Sequence, residues 1–215
     1  AHSYHRAVAT LYHYHDCPLC FRLRAYLFER ELPFVSSRVD RDLPPPELAA
    51  LTPLGRLPVW VTDDGKPLFG AQTIALYLEA VHGPALVPTD PLARARAAMA
   101  EDLAWEGLVQ PLARLDREQA GRGPEAWNLE AWQTETRRVR KALQVFESLL
   151  GGRDWLLGNS LTVADLALAH PLAVLERYGM DLQDFPGLAN LAERLGKRSS
   201  VVAARATQPK QAGGR

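Results

Sequence analysis

Cysteine is scarce in this sequence: only Cys17 and Cys20 occur in 215 residues. Two cysteines cannot staple a chain of this length, which excludes a disulfide scaffold and makes a reducing compartment the default. Lysine is confined to Lys66, Lys141, Lys197 and Lys210, so arginine carries most of the positive charge. Acidic and basic residues balance at 25 each. A net charge of zero excludes a global attraction to nucleic acid or to an anionic membrane. No apolar run reaches the roughly 18 residues that a membrane span needs. The opening "AHSYHRAVAT" lacks the basic-then-apolar pattern of a secretory signal, so the expected location is cytoplasmic. No internal repeat is visible.

Hydrophobic residues make up 47% of the chain, enough for a sizeable core. Residues 7–14 are β-branched and aromatic and read as a strand. From Pro18 to Glu31 the spacing turns helical, with Cys20, Leu23, Leu27 and Arg30 on one face and Tyr26 beside them. Residues 33–39 read as a second strand. Residues 57–63 and 66–70 flank Asp64-Gly65, a hairpin signal, and a helix follows with Ile74, Leu78 and Val81 in phase. After residue 82 no strand pattern appears. A helix over 92–119 is expected to kink at Pro111, and a long helix from Leu129 stops at Gly151-Gly152. The next opens at Thr162 with Asp165 three residues on, a capping-box pair flanked by Leu161 and Leu166. These periods predict an α/β domain over 1–82, a linker over 83–91, an all-α domain over 92–205 and a frayed tail over 206–215.

The cysteine pair falls where the first strand turns into the first helix. Cys17 precedes Pro18 at the positive end of the helix dipole, beside free backbone N–H groups that stabilise a thiolate. Arg22 and Arg24 add positive charge on the following turns. Cys20 lies one turn in, on the buried face. An exposed thiol with a buried partner three residues on is the layout of a dithiol redox centre, in which Cys17 attacks and Cys20 resolves. Two other readings exist. Both cysteines can be plain small core residues, or they can join His13 and His15 as zinc ligands; a metal site is not expected, because structural zinc draws its ligands from separated pairs. Tyr12 and Tyr14 lie within reach as thiolate hydrogen-bond donors.

"LYHYHDCPLCFRLRAYL", "LTPLGRLPVWV" (51–61), "PLFGAQTIALYLE" (67–79) and "WLLGNSLTVADLAL" (155–168) together resemble the cytosolic glutathione transferase superfamily over nearly the whole chain. The resemblance implies a thioredoxin-like N-terminal domain, an all-α C-terminal domain and a homodimer. It implies glutathione as co-substrate, with a small electrophile or disulfide as the second substrate. Cys17 matches the catalytic cysteine of the omega-like, beta-like and two-domain glutaredoxin branches. Leu57-Pro58 matches a cis X-Pro pair whose first residue binds the cysteinyl part of glutathione through its backbone. The γ-glutamyl carboxylate falls to the helix start at Gly70-Ala71, where the family has Glu or Gln followed by Ser. Here only backbone N–H groups of Ala71 and Gln72 remain, with Gln72 or Thr73 as substitutes. Omega-like members carry a basic residue near position 51, where this chain has Leu51. A substrate cleft is expected near Tyr14, Met99 and Trp105.

The activity that follows is cysteine-dependent thiol transfer: thiol–disulfide exchange or reductive deglutathionylation. A thiolate is a poor activator of glutathione's own sulfur, which disfavours conjugation. Two alternatives accompany it. One is a non-catalytic binding protein of the stringent starvation protein A type, which shares a "DLPPPEL" stretch (42–48). The other is a conjugating transferase using Tyr12 or Tyr14.

Overall fold

The computed structural model describes residues 8–120 and 123–206. Two compact units separate, one of residues up to Ala85 together with the chain from Ser199 onward, the other Leu86–Arg198.

In the first unit, strand β1 (Thr10–His13) leads into helix α1 (Pro18–Glu29), which returns to strand β2 (Val35–Arg38). The strands β1 and β2 pair in parallel, with Thr10 opposite Val35 and His13 opposite Arg38. Side chains alternate along β1, so Leu11 and His13 are buried while Thr10 and Tyr12 are half-buried. A single helical turn, α2 (Leu48–Leu51), precedes β3 (Val59–Val61) and β4 (Pro67–Phe69), the antiparallel hairpin expected from Asp64-Gly65. Gly65 closes it at φ +82°, a conformation costly for any residue with a Cβ. The sheet order is β2-β1-β3-β4. Helix α3 (Ala71–His82) follows from Gly70.

The second unit is helical. Helix α4 (Pro91–Ala104) starts on Asp90, whose carboxylate accepts the Ala93 N–H at 2.8 Å. The kink expected at Pro111 takes another form. A π-helical turn, Trp105–Val109, separates α4 from α5 (Gln110–Gln119) and places Pro111 in the first turn of α5, where its missing N–H costs nothing. Gly107 lies in that turn. A Cβ there would stand 2.6 Å from the Ala142 Cβ, so glycine is what lets α6 (Leu129–Leu150) approach. Helix α6 ends at Gly151 in the left-handed region. Helices α7 (Val163–Val174) and α8 (Pro186–Lys197) complete the unit. The cap of α7 is the capping box expected from Thr162 and Asp165.

Two boundaries differ from expectation. Helix α9 (Ser199–Ala206) does not join the all-α unit; it packs on α1 in the first. The 83–91 stretch is not a free linker throughout, because Leu86 and Val87 are buried and the Leu86 carbonyl accepts the Val163 N–H at 3.0 Å. Past Ala206, the expected tail lies outside the described residues.

Candidate functional site

Cys17 is the N-cap of α1, with φ −78° and ψ 124°, and its carbonyl accepts the Phe21 N–H at 2.8 Å. Pro18 at the first helical position leaves the next amide groups facing the Cys17 sulfur. Cys17 is partly exposed and Cys20 is fully buried. The Cys20 thiol donates to the Cys17 sulfur, as do the Cys20 and Leu19 backbone N–H groups, and the Arg41 charge assists. Against the opposing effect of burial these bring the Cys17 thiol down to about 6. Burial pushes the Cys20 thiol well above the ordinary range, and its bond to Cys17 pushes the same way. Beneath the pair lies an apolar floor of Val39, Leu48, Leu57 and Val59, with Tyr14 and Leu51 packed beside it.

The cation beside Cys17 is Arg41, which sequence reasoning missed. Its guanidinium lies 3.9 Å from the centre of the Tyr14 ring and pairs with Asp16 at 3.0 Å. Nothing local in "DRDLPPPEL" signals that this loop folds back over the helix start. Arg41 thus supplies positive charge by the thiol, while Leu51, at the position where omega-like members carry a basic residue, packs on the floor instead. The expected helper Arg24 is fully buried and bound to the chain leading into the site: its guanidinium donates to the carbonyls of Tyr14 at 3.0 Å and His15 at 2.9 Å. Tyr12 donates to Glu47 at 3.4 Å, and the Tyr14 ring lies under the same Arg41 guanidinium that acts on Cys17.

The zinc reading fails on His13. Arg24 donates to its Nδ1 at 3.0 Å, which assigns the proton to Nε2, and Nε2 donates to Ser36 Oγ at 2.7 Å. Both ring nitrogens are thus engaged. Burial, then the Arg24 charge, lowers the imidazole to about 4, so it is neutral at physiological pH.

The Leu57–Pro58 bond is cis. The Pro58 carbonyl accepts the Gly70 N–H at 3.1 Å, which ties the start of α3 to this strand. Gly70 has φ +92° and ψ 126°, and no side chain caps α3. Ala71 is buried and Gln72 half-buried. Cys17, Cys20, Leu57, Pro58, Ala71 and Gln72 all lie in the first unit, as does Tyr14. Met99 and Trp105 lie in the second. Both are surface residues rather than core, at 52% and 40% exposed.

Two family descriptions match the chain: the glutathione S-transferase N-terminal domain over residues 16–81 and the C-terminal domain over 122–198. Among relatives, FtsZ-localized protein A of Caulobacter vibrioides is 32% identical, covering 79% of this chain and 78% of its own. A maleylacetoacetate isomerase of Pseudomonas aeruginosa is 29% identical over 85% of this chain and 89% of its own. The disulfide-bond oxidoreductase YfcG of Escherichia coli is 27% identical over 84% and 86%. A glutathione S-transferase of Methylobacillus flagellatus, crystallised with glutathione bound, shares the fold with a TM-score of 0.80 at 24% identity, over 91% of this chain and 98% of its own.

Proposed function

The chain belongs to the glutathione S-transferase superfamily, and from that premise we propose that it is a cysteine-dependent thiol transferase acting on disulfides that contain glutathione. The carrying observation is the pairing of a depressed, partly exposed Cys17 thiol with a fully buried Cys20 at one helix N-terminus. With a value of about 6, roughly nine-tenths of Cys17 is thiolate at pH 7. The thiolate attacks the glutathione sulfur of a mixed disulfide R–S–S–G. That S–S bond breaks, R–S⁻ leaves and takes a proton from water, and Cys17 carries glutathione. A second glutathione thiolate then attacks the glutathione sulfur on Cys17. Oxidised glutathione departs and the Cys17 thiolate returns. The relation to a disulfide-bond oxidoreductase supports this chemistry.

Alkylation by iodoacetamide tests the reading. In the native chain the rate at Cys17 against pH is expected to reach half its maximum close to 6, and in Cys20→Ser, which replaces the strongest donor to Cys17, at a different pH still below the ordinary thiol range, because the Cys20 and Leu19 N–H groups and Arg41 remain. For Cys17→Ser no inflection is expected below about 9. Equal, high values at both thiols would sink it.

Glutathione is expected to bind through the Leu57 backbone and the amides at the start of α3. Restoring a family-like pair is not open at residue 70, because φ +92° admits glycine and strains any other residue. Ala71→Ser adds one hydroxyl at a position with ordinary helical backbone. One hydrogen bond to a carboxylate contributes about 1.5–3 kcal/mol, so calorimetry is expected to show tenfold or tighter binding, roughly. Unchanged affinity would place the carboxylate elsewhere. Exposed Phe69, Leu76 and Val81 on β4 and α3 support a homodimer, which sedimentation equilibrium reads directly.

One observation favours a second reading. Gly70 and Ala71 offer no side-chain group to glutathione, and a binding protein on this fold needs none; the 32% identity to an FtsZ-localized protein fits that alternative. The Tyr12 hydroxyl is committed to Glu47, which disfavours conjugation by that tyrosine. The Pseudomonas relative is named an isomerase, and any activity of this chain carried by glutathione's own sulfur would survive loss of Cys17.

A further inference from the structure

A buried arginine with no direct ion pair is costly, because hydrogen bonds to neutral groups replace only part of what its charge loses on leaving water; the opposite charges that reach Arg24 are those of Cys20, Cys17 and Asp16. Arg24 is 0% exposed. Among the described residues its hydrogen-bond partners are neutral: the Ala204 carbonyl at 3.2 Å, the Tyr14 carbonyl and His13 Nδ1 both at 3.0 Å, and the His15 carbonyl at 2.9 Å. Ala204 lies in the last turn of α9, where carbonyls lack intrahelical partners and the helix dipole is negative. Tyr14 and His15 lead directly into Cys17. One side chain therefore joins the end of α9 to the segment that presents the nucleophile. A second bond reinforces that packing, from Ser200 Oγ on α9 to Glu29 on α1 at 2.6 Å. Arg24 also stands one turn along α1 from Cys20, on the same buried face, so its charge is close to the thiol less able to ionise.

Resting on the thiol-transferase reading above, we infer that Arg24 is a positioning residue for the resolving step, in which Cys20 displaces glutathione from Cys17. In that step Cys20 loses its proton and its sulfur attacks the Cys17 sulfur. The bond from Cys17 to glutathione breaks, and the departing glutathione thiolate takes up the proton. The Cys17–Cys20 disulfide is then reduced by two molecules of glutathione, which leave as oxidised glutathione. Arg24 acts at both ends of this exchange. Its fork holds the Tyr14 and His15 carbonyls and so sets how Cys20 meets the Cys17 adduct, and its charge favours the Cys20 thiolate as it forms, whereas the first attack by Cys17 draws on the helix start, Cys20 and Arg41.

The test separates the two halves of the reaction. The 215-residue chain and its Arg24→Met and Arg24→Lys variants are mixed with oxidised glutathione, quenched in acid and weighed by mass spectrometry. Arg24→Met is expected to gain the Cys17 adduct within about threefold of the native rate yet to resolve it on the order of tenfold more slowly, since it loses both the charge that favours the Cys20 thiolate and the fork that holds the Tyr14 and His15 carbonyls. Arg24→Lys keeps the charge but loses the fork, and is expected to recover part of the rate. A chain ending at Val202 removes the Ala204 carbonyl without touching Arg24 and is expected to resolve slowly as well. If Arg24→Met does not fold by circular dichroism, the Arg24→Lys and shortened chains decide. Native resolution rates in the folded variants overturn the role. So does equal slowing of both halves, which marks general loosening. An adduct that never forms on the native chain overturns the thiol-transferase reading, and this role with it.

Discussion

Replacing Cys17 by serine is expected to lower reduction of a glutathione mixed disulfide by about a thousandfold or more, because the variant loses the nucleophile itself rather than a group that tunes it. A hydroxyl in that place stays protonated at neutral pH and cannot form the mixed disulfide. Cys20→Ser is expected to behave differently. The attacking thiol remains, so exchange continues through a second glutathione, within about tenfold of native. The same variant has lost the internal route of release, and oxidised glutathione should leave a single stable adduct on it. Steady-state assay with a glutathionylated peptide measures the first effect and mass spectrometry the second. Full activity in Cys17→Ser would transfer the chemistry to glutathione's own sulfur and favour the isomerase type of reaction. No adduct on Cys20→Ser, with Cys17 still reactive toward iodoacetamide, would favour a binding protein.

The largest loss of stability is expected at Asp165. Its side chain is fully buried and accepts three hydrogen bonds: from the Leu156 N–H at 2.8 Å, the Thr162 N–H at 2.9 Å and the Thr162 hydroxyl at 3.0 Å. Asp165→Ala strands all three donors away from water. Hydrogen bonds to a charged group contribute roughly 1.5–3 kcal/mol each and are not additive, so about 3–5 kcal/mol is expected. For a chain of this size that lowers Tm by on the order of 10 °C. Asp165→Asn keeps an acceptor of the same shape and is expected to cost about half as much. Burial raises the Asp165 carboxyl above its ordinary range despite the three donors. Its folded value therefore lies above its unfolded one. The protonated form is the one favoured by folding, and that contribution fades as pH rises through the folded value. The difference between native and Asp165→Asn should accordingly change with pH in weakly acid solution. Thermal melts read both effects. A loss under about 1 kcal/mol for Asp165→Ala would mean that water reaches the stranded donors.

What the sequence made legible was local. The strand–Cys-Pro-x-Cys–helix order, the Asp64-Gly65 turn and the Thr162–Asp165 cap each rest on a few neighbouring residues whose chemistry permits few conformations. The Leu57-Pro58 bond was legible only through family resemblance, because composition alone favours trans. Three features were not legible for one shared reason, that each depends on a partner distant in the chain. Arg41 reaches Asp16, 25 residues earlier in the chain, by a Pro-rich loop whose path no periodicity records. The π turn before Pro111 is shaped by contact between Gly107 and Ala142. Helix α9 has an apolar face, but amphipathicity does not say which unit that face will cover. Met99 and Trp105 are apolar residues in helical phase, for which core is the ordinary expectation; their exposure is a property of the packed unit.

Because α9 returns to the first unit, that unit is discontinuous along the chain, with the whole second unit inserted between its two parts. Synthesis proceeds from the N-terminus, so the segment bearing Cys17 and Cys20 leaves the ribosome long before the residues that hold Arg24. During that interval a nascent chain displays both cysteines without the helix that clamps them. A product cut short anywhere before Ser199 retains the motif and lacks the clamp. A copy cut short before Ser199 is therefore expected to keep the attacking thiol and, lacking the clamp, to release its glutathione adduct slowly.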